Sequence, residues 1–117
     1  MSLLPIQYVA KPWGSETIWA RTDKYVGKIL SILEGARLSL QYHNIKDETI
    51  HILSGEIIFT YEENNKLLTR VLSSGTSFHI PPGTKHRMQA LKFTRILEAS
   101  TSELDDVVRM EDDYGRI

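Results

Sequence analysis

Turn-forming residues interrupt this chain at short intervals. Glu34-Gly35, Ser54-Gly55, Asn64-Asn65, Ser73-Ser74-Gly75 and Pro81-Pro82-Gly83 separate the runs YVGKILSIL, RLSLQYHN, ETIHIL, EIIFTYEE, KLLTRVL and SFHI, and HRMQAL and FTRILEA follow. Short β-rich runs bounded by such residues read as strands. The turn residues supply positive or fixed φ where the chain must reverse, and Asn64-Asn65 suits a two-residue hairpin. About eight strands at this spacing predict an all-β jelly-roll barrel, made as one domain over residues 1–117. The first twenty residues add one or two strands, which Pro12 keeps at a sheet edge. In the tail, Ser102 is placed to cap a short helix over ELDDVVRM, with acidic residues in its first turn.

Composition narrows the function classes. The 117 residues suffice for one core, and 41% hydrophobic with 25% charged residues is ordinary for a globular chain. Lys plus Arg number 14 against 15 Asp plus Glu, so no electrostatic case exists for nucleic acid or a membrane surface. There is no cysteine, which excludes disulfides and thiolate sites. The start MSLLPIQYVA lacks a basic segment and a long apolar core, and no stretch reaches membrane-spanning length. The expected location is the cytoplasm.

Two glycine-bounded blocks carry the chemistry. GARLSLQYHNIKDETIHILSG spans residues 35–55 and GTSFHIPPGTKH spans residues 75–86. Ser39, Gln41 and His43 are two residues apart, so an extended strand points them to one face and Leu38, Leu40 and Tyr42 to the other. Glu48 opens the next run and can fold back beside His43. His86 arrives from a distant strand, as a barrel with converging strands allows. Gln41, His43, Glu48 and His86 form a mixed N/O set for one divalent ion, zinc first, with Mn, Fe, Co and Ni accepting the same donors. His51 has the opposite parity to Glu48 and is expected to face away.

The blocks resemble the two cupin signatures, Gly-x5-His-x-His-x4-Glu-x6-Gly and Gly-x5-Pro-x-Gly-x2-His-x3-Asn. Gln41 stands in the first His slot and Ala90 in the final Asn slot. LSLQYH with a later Glu and His resembles the metal site of phosphomannose isomerases. KPWGSE at residues 11–16, YVGKILSILEGARLSLQYH, and the ending ELDDVVRMEDDYGR at 103–116 resemble the type II phosphomannose isomerase domain. That domain forms the C-terminal part of bifunctional mannose-1-phosphate guanylyltransferase/mannose-6-phosphate isomerases. One departure is Lys46, where the family commonly has Arg. Arg is a planar fork suited to phosphate, whereas Lys is a compact charge that can titrate.

The resemblance implies interconversion of mannose 6-phosphate and fructose 6-phosphate through an enediol, with metal polarising the carbonyl and a base moving the proton. Candidates for proton transfer are Lys46, Glu98 and His79. Candidate substrate contacts are Ser39, Arg37, Lys28 and Arg116, the last lying in the Tyr-Gly-Arg match. Two alternatives stay open: another sugar-active cupin, or a non-catalytic sugar-phosphate-binding module. Open sheet edges favour a two-fold homodimer, with the N-terminal strands or His51 near the contact.

Overall fold

The computed structural model describes residues 1–117. Its strands are β1 (Gln7–Lys11), β2 (Gly14–Arg21), β3 (Val26–Ile32), β4 (Leu40–Tyr42), β5 (Glu48–Ser54), β6 (Glu56–Glu63), β7 (Lys66–Ser73), β8 (Ser77–Ile80), β9 (His86–Ala90), β10 (Thr94–Ser100) and β11 (Val108–Glu111). They form a six-stranded sheet in the order β1-β2-β3-β10-β5-β8 and a five-stranded sheet in the order β11-β4-β9-β6-β7. All pairings between these strands are antiparallel. The all-β double-sheet architecture matches the expectation from the sequence.

Alternation places the core between the sheets. In β5, Glu48, Ile50 and Ile52 are buried while Thr49 and Leu53 are exposed. In β10, Thr94, Ile96, Glu98 and Ser100 are buried while Arg95 and Ala99 are exposed. Leu30, Ile32, Ile50, Ile52, Ile57, Phe59, Met88 and Ile96 form the centre, joined by Trp13 from the segment between β1 and β2. Full burial of such side chains contributes about 1.5–3 kcal/mol each. His51 lies on the outward face of β5, where it bonds Ser77 Oγ at 2.7 Å.

The two blocks meet through backbone where the Gly83 N–H donates to the His43 carbonyl at 2.6 Å, and just beyond the second block the Met88 carbonyl accepts the Leu38 N–H at 2.9 Å. Asn64 and Asn65 have φ of 52° and 62°, the pair of positive values a two-residue hairpin turn needs.

Two local expectations are corrected. The tail forms no helix: Glu103–Val107 are turns and irregular chain, and Val108–Glu111 pairs with β4 as a strand. Strand pairing of Val108 with Tyr42 and Arg109 with Gln41 overrides the capping signal at Ser102. The single alternating face also fails at one point. Leu38 belongs to the core and lines the same cleft as Ser39, because regular pairing starts only at Leu40.

The turn glycines differ in what surrounds them. Gly75 has φ +91° and open space where a Cβ would sit, whereas a Cβ on Gly55 (φ +99°) would collide with Thr94 and lie 2.7 Å from the Phe93 carbonyl oxygen. Gly75→Ala should cost about 1–2 kcal/mol from the left-handed backbone alone. Gly55→Ala should cost a further ~1–3 kcal/mol from overpacking. Urea unfolding of the two variants checks the order, and equal losses would contradict the register at Gly55.

Candidate metal centre

Glu48 is the inward residue at the start of β5, opposite Ile80 on β8 and Ser100 on β10. His86 starts β9 and pairs with Gln41 on β4, while His43 follows β4 directly. The carboxylate therefore comes from one sheet and the imidazoles from the other. His43 Nε2 and His86 Nε2 each lie 3.2 Å from Glu48 Oε1. One ligand atom from each of the three residues falls within 4.8 Å of the other two. All three are buried, and His86 has no exposed surface.

The ring orientation is fixed from behind. His86 Nδ1–H donates to the Thr84 carbonyl at 2.9 Å, and His43 Nδ1–H donates to the Asp106 carbonyl. With Nδ1 protonated for a carbonyl acceptor, a neutral imidazole turns its Nε2 lone pair toward Glu48. Two lone pairs facing a carboxylate oxygen repel it unless a cation or proton lies among them. His86 Nε2 is buried without a hydrogen-bond partner, as is Glu48 Oε2. A divalent ion bound by two Nε2 atoms and one carboxylate answers both conditions. Gln41 Oε1 accepts a hydrogen bond from Ser39 Oγ at 2.9 Å, and Gln41 lines the same cleft as His43.

Ion pairs surround this centre. Lys46 Nζ sits 3.1 Å from Glu48 Oε2 and 3.1 Å from Glu98 Oε2, although its approach to Glu48 is misaligned for a hydrogen bond. Lys28 Nζ lies 3.3 Å from Glu16 and 4.0 Å from Glu98. Without an ion in the triad, protons on the rings would take its place: burial pushes the Glu48 carboxyl up, but the adjoining His43 and His86 rings and the Lys46 charge outweigh it and hold it far below the usual range. Burial pulls His43 down, and Glu48 more than offsets that, leaving its affinity for a proton raised. Burial also opposes the Lys46 charge, yet Glu98 and Glu48 hold it protonated. Glu98 is raised, by burial first and then by the charge of Glu48.

The structure brings together most of the residues singled out in the sequence. Ser39, Gln41, His43, Lys46, Glu98 and Arg116 all line one cleft. Three candidates take other places. His79 is exposed on the outward face of β8, paired with Asp47 at 2.7 Å. The parity of Ile80, which faces inward, already sets His79 outward. Arg37 lies outside the cleft and is bound by both oxygens of Asp113, at 2.6 and 2.9 Å. Lys28 is buried within the Glu16–Glu98 pairing. Sequence reasoning passed over Lys11 and Arg109, which also line the cleft. Lys11 lies in the KPWGSE segment; Arg109 was hidden by the helix expected for the tail.

Asp106 is a further residue with no spacing signal. Its carboxylate accepts the N–H groups of Asn44, Ile45 and Lys46 at 3.0, 2.7 and 2.9 Å, so it fixes the loop between His43 and Glu48.

The interior triad on two packed antiparallel sheets defines a cupin. The chain belongs to the mannose-6-phosphate isomerase C-terminal family, which it matches over residues 5–112. It is 33% identical over 113 residues to the xanthan biosynthesis protein XanB of Xanthomonas campestris, covering 92% of this chain and 23% of that protein. It is 31% identical over 114 residues to the mannose-1-phosphate guanylyltransferase of Escherichia coli, covering 93% and 23%. The chain thus spans about a quarter of the length of these curated relatives. The fold is similar to that of KdgF from a Halomonas species, with TM-score 0.75, 21% identity, and coverage of 87% of this chain and 91% of that one. No helix is long and apolar enough to cross a membrane.

Removal of the Asp106 carboxylate should loosen the ligand loop. Asp106→Ala should weaken binding of one equivalent of zinc by about 10–100-fold, the usual effect of losing a group that orients ligands. Calorimetric titration with zinc checks this. The three N–H bonds, foremost that of Lys46, hold the Asp106 carboxyl at about 2, below its ordinary 3.8. Its stabilising share is therefore present above the unfolded value and lost as pH falls from near 3.8 through about 2. Acid unfolding of Asp106→Ala should show a smaller loss of stability across that window than the wild type.

Proposed function

We propose that this chain is a metal-dependent sugar-phosphate isomerase that interconverts mannose 6-phosphate and fructose 6-phosphate through an enediol. The family match supports the substrate class. The observation that carries the reaction is Glu98, a buried carboxylate opening on the cleft beside the metal ligands. A divalent ion held by His43, Glu48, His86 and Gln41 would supply polarisation of the substrate carbonyl.

Moving a proton between C1 and C2 requires one group that takes it and returns it on the same face. Lys46 and Lys28 both approach Glu98 Oε2, leaving Oε1 without a cation. The Glu98 carboxylate takes and returns the proton. Lys46 is held charged by two carboxylates and acts as the fixed positive group beside Glu98. His79 is too far outside the cleft to take part, which leaves Glu98 as the base among the three candidates.

In a coupled assay, the metal-loaded chain should convert mannose 6-phosphate to fructose 6-phosphate. Glu98→Gln should lower kcat by about 10²–10⁴-fold, the usual worth of a positioned acid–base group. Sugar-phosphate binding without conversion in the wild type would instead identify a binding module.

We also propose that two copies pair. β1 is an open edge of its sheet, and Ile6, Tyr8 and Trp19 leave an apolar surface exposed beside it. Light scattering should give twice the 13.4 kDa chain mass at micromolar concentration. A monomer throughout that range would refute the pairing.

A further inference from the structure

The cations of the cleft divide into those already neutralised and those free. Lys46 lies between Glu48 and Glu98. Arg116 is held by Asp112 through its backbone N–H, Nε and one terminal nitrogen, at 2.7, 2.9 and 2.8 Å. Lys11 and Arg109 line the same cleft with no ion pair and no side-chain hydrogen bond. Arg109 Nε is buried and has no partner at all. A buried donor left unpaired is costly, and a guanidinium offers a planar fork that fits a phosphate bidentately.

Placement matches this chemistry. Arg109 pairs with Gln41, and Gln41 with His86, across β11, β4 and β9. Directly paired residues of antiparallel strands share a face. The row sets the Arg109 backbone two strand spacings, about 10 Å, from that of His86. Lys11 reaches the cleft from β1, the edge of the opposite sheet. The two free cations thus flank the cleft from separate sheets, to one side of the metal ligands.

We propose that Arg109 and Lys11 form the phosphate seat of the cleft and orient a phosphorylated sugar with its carbonyl end toward His43, Glu48 and His86. Assignment of the sugar rests on the isomerase reading; the anion seat itself does not. Arg116, Lys28 and Arg37 then serve as structural cations, each occupied by a carboxylate of the chain.

The test is calorimetric titration of the full chain with inorganic phosphate, beside steady-state kinetics with mannose 6-phosphate. Arg109→Gln should weaken phosphate binding at least tenfold and raise KM by a similar factor, with kcat within about threefold. Lys11→Gln should act in the same direction, Arg109→Lys should recover part of the affinity, and Arg37→Gln should match the wild type. Bound zinc and the circular dichroism spectrum should be unchanged in each variant. Phosphate affinity unaltered by both Arg109→Gln and Lys11→Gln would overturn the seat, even if the chain proves to be an isomerase. Phosphate binding that depends on Arg109 in a chain that converts no sugar phosphate would uphold the seat and overturn the isomerase reading.

Discussion

The organisation of this protein depends on one buried carboxylate. Glu48 is 3% exposed, contributed by the six-stranded sheet, and met by His43 and His86 from the five-stranded sheet and its following loop. Burying an unpaired carboxylate is prohibitively unfavourable, so its partners are obligatory. Each partner then imposes its own requirement. The imidazoles need their Nδ1 atoms anchored, which Thr84 and Asp106 provide. Lys46 needs a second carboxylate, which Glu98 provides, and Glu98 draws in Lys28 and Glu16. A polar chain through the interior follows from one charge placed at the start of β5.

The acidic tail is the second consequence. Three of its carboxylates are engaged in structure: Asp106 fixes the ligand loop, Asp112 closes on Arg116, and Asp113 holds Arg37 and Arg87. Arg87 also donates to the Leu38 carbonyl at 2.8 Å and pairs with Glu111. The tail is thereby fastened along the β4 edge, beside the strand that carries Gln41. Fastening that edge is what carries Arg109 into the cleft.

Legibility in the sequence followed the range of the signals. The triad was readable because strand parity and glycine-bounded turns are local, and His43, Glu48 and His86 converge where the blocks placed them. Glu98 and Lys46 were readable as candidates, but not their contact, since 52 positions separate them. His79 and Arg37 were misplaced for different reasons. The parity of β8 was available and excluded His79. Arg37 precedes an irregular stretch before β4, so strand parity does not set its direction. The tail failed because capping and acidic residues are helix signals of about 1 kcal/mol or less each, and a sheet edge in need of a partner outweighs them. The β-branched pair Val107-Val108 was the local sign of that outcome.

Charge in the interior also orders the cleft. The buried and half-buried carboxylates Glu16, Glu48 and Glu98 face the ammonium groups of Lys28 and Lys46. Counted as ionised, the three carboxylates exceed the two ammonium groups by one, and the Glu48 oxygen is the one that faces the Nε2 atoms. That excess favours a cation there and repels an anion. An arginine at position 46 would keep the same charge, so the count does not depend on the lysine. Its fork would spread over several oxygens, whereas the ammonium fits as a point between two carboxylates at equal distance. A phosphorylated ligand would have one favourable orientation: its uncharged end at the carboxylate-rich centre, and its anionic end toward Arg109 and Lys11, neither of which forms an ion pair within the chain.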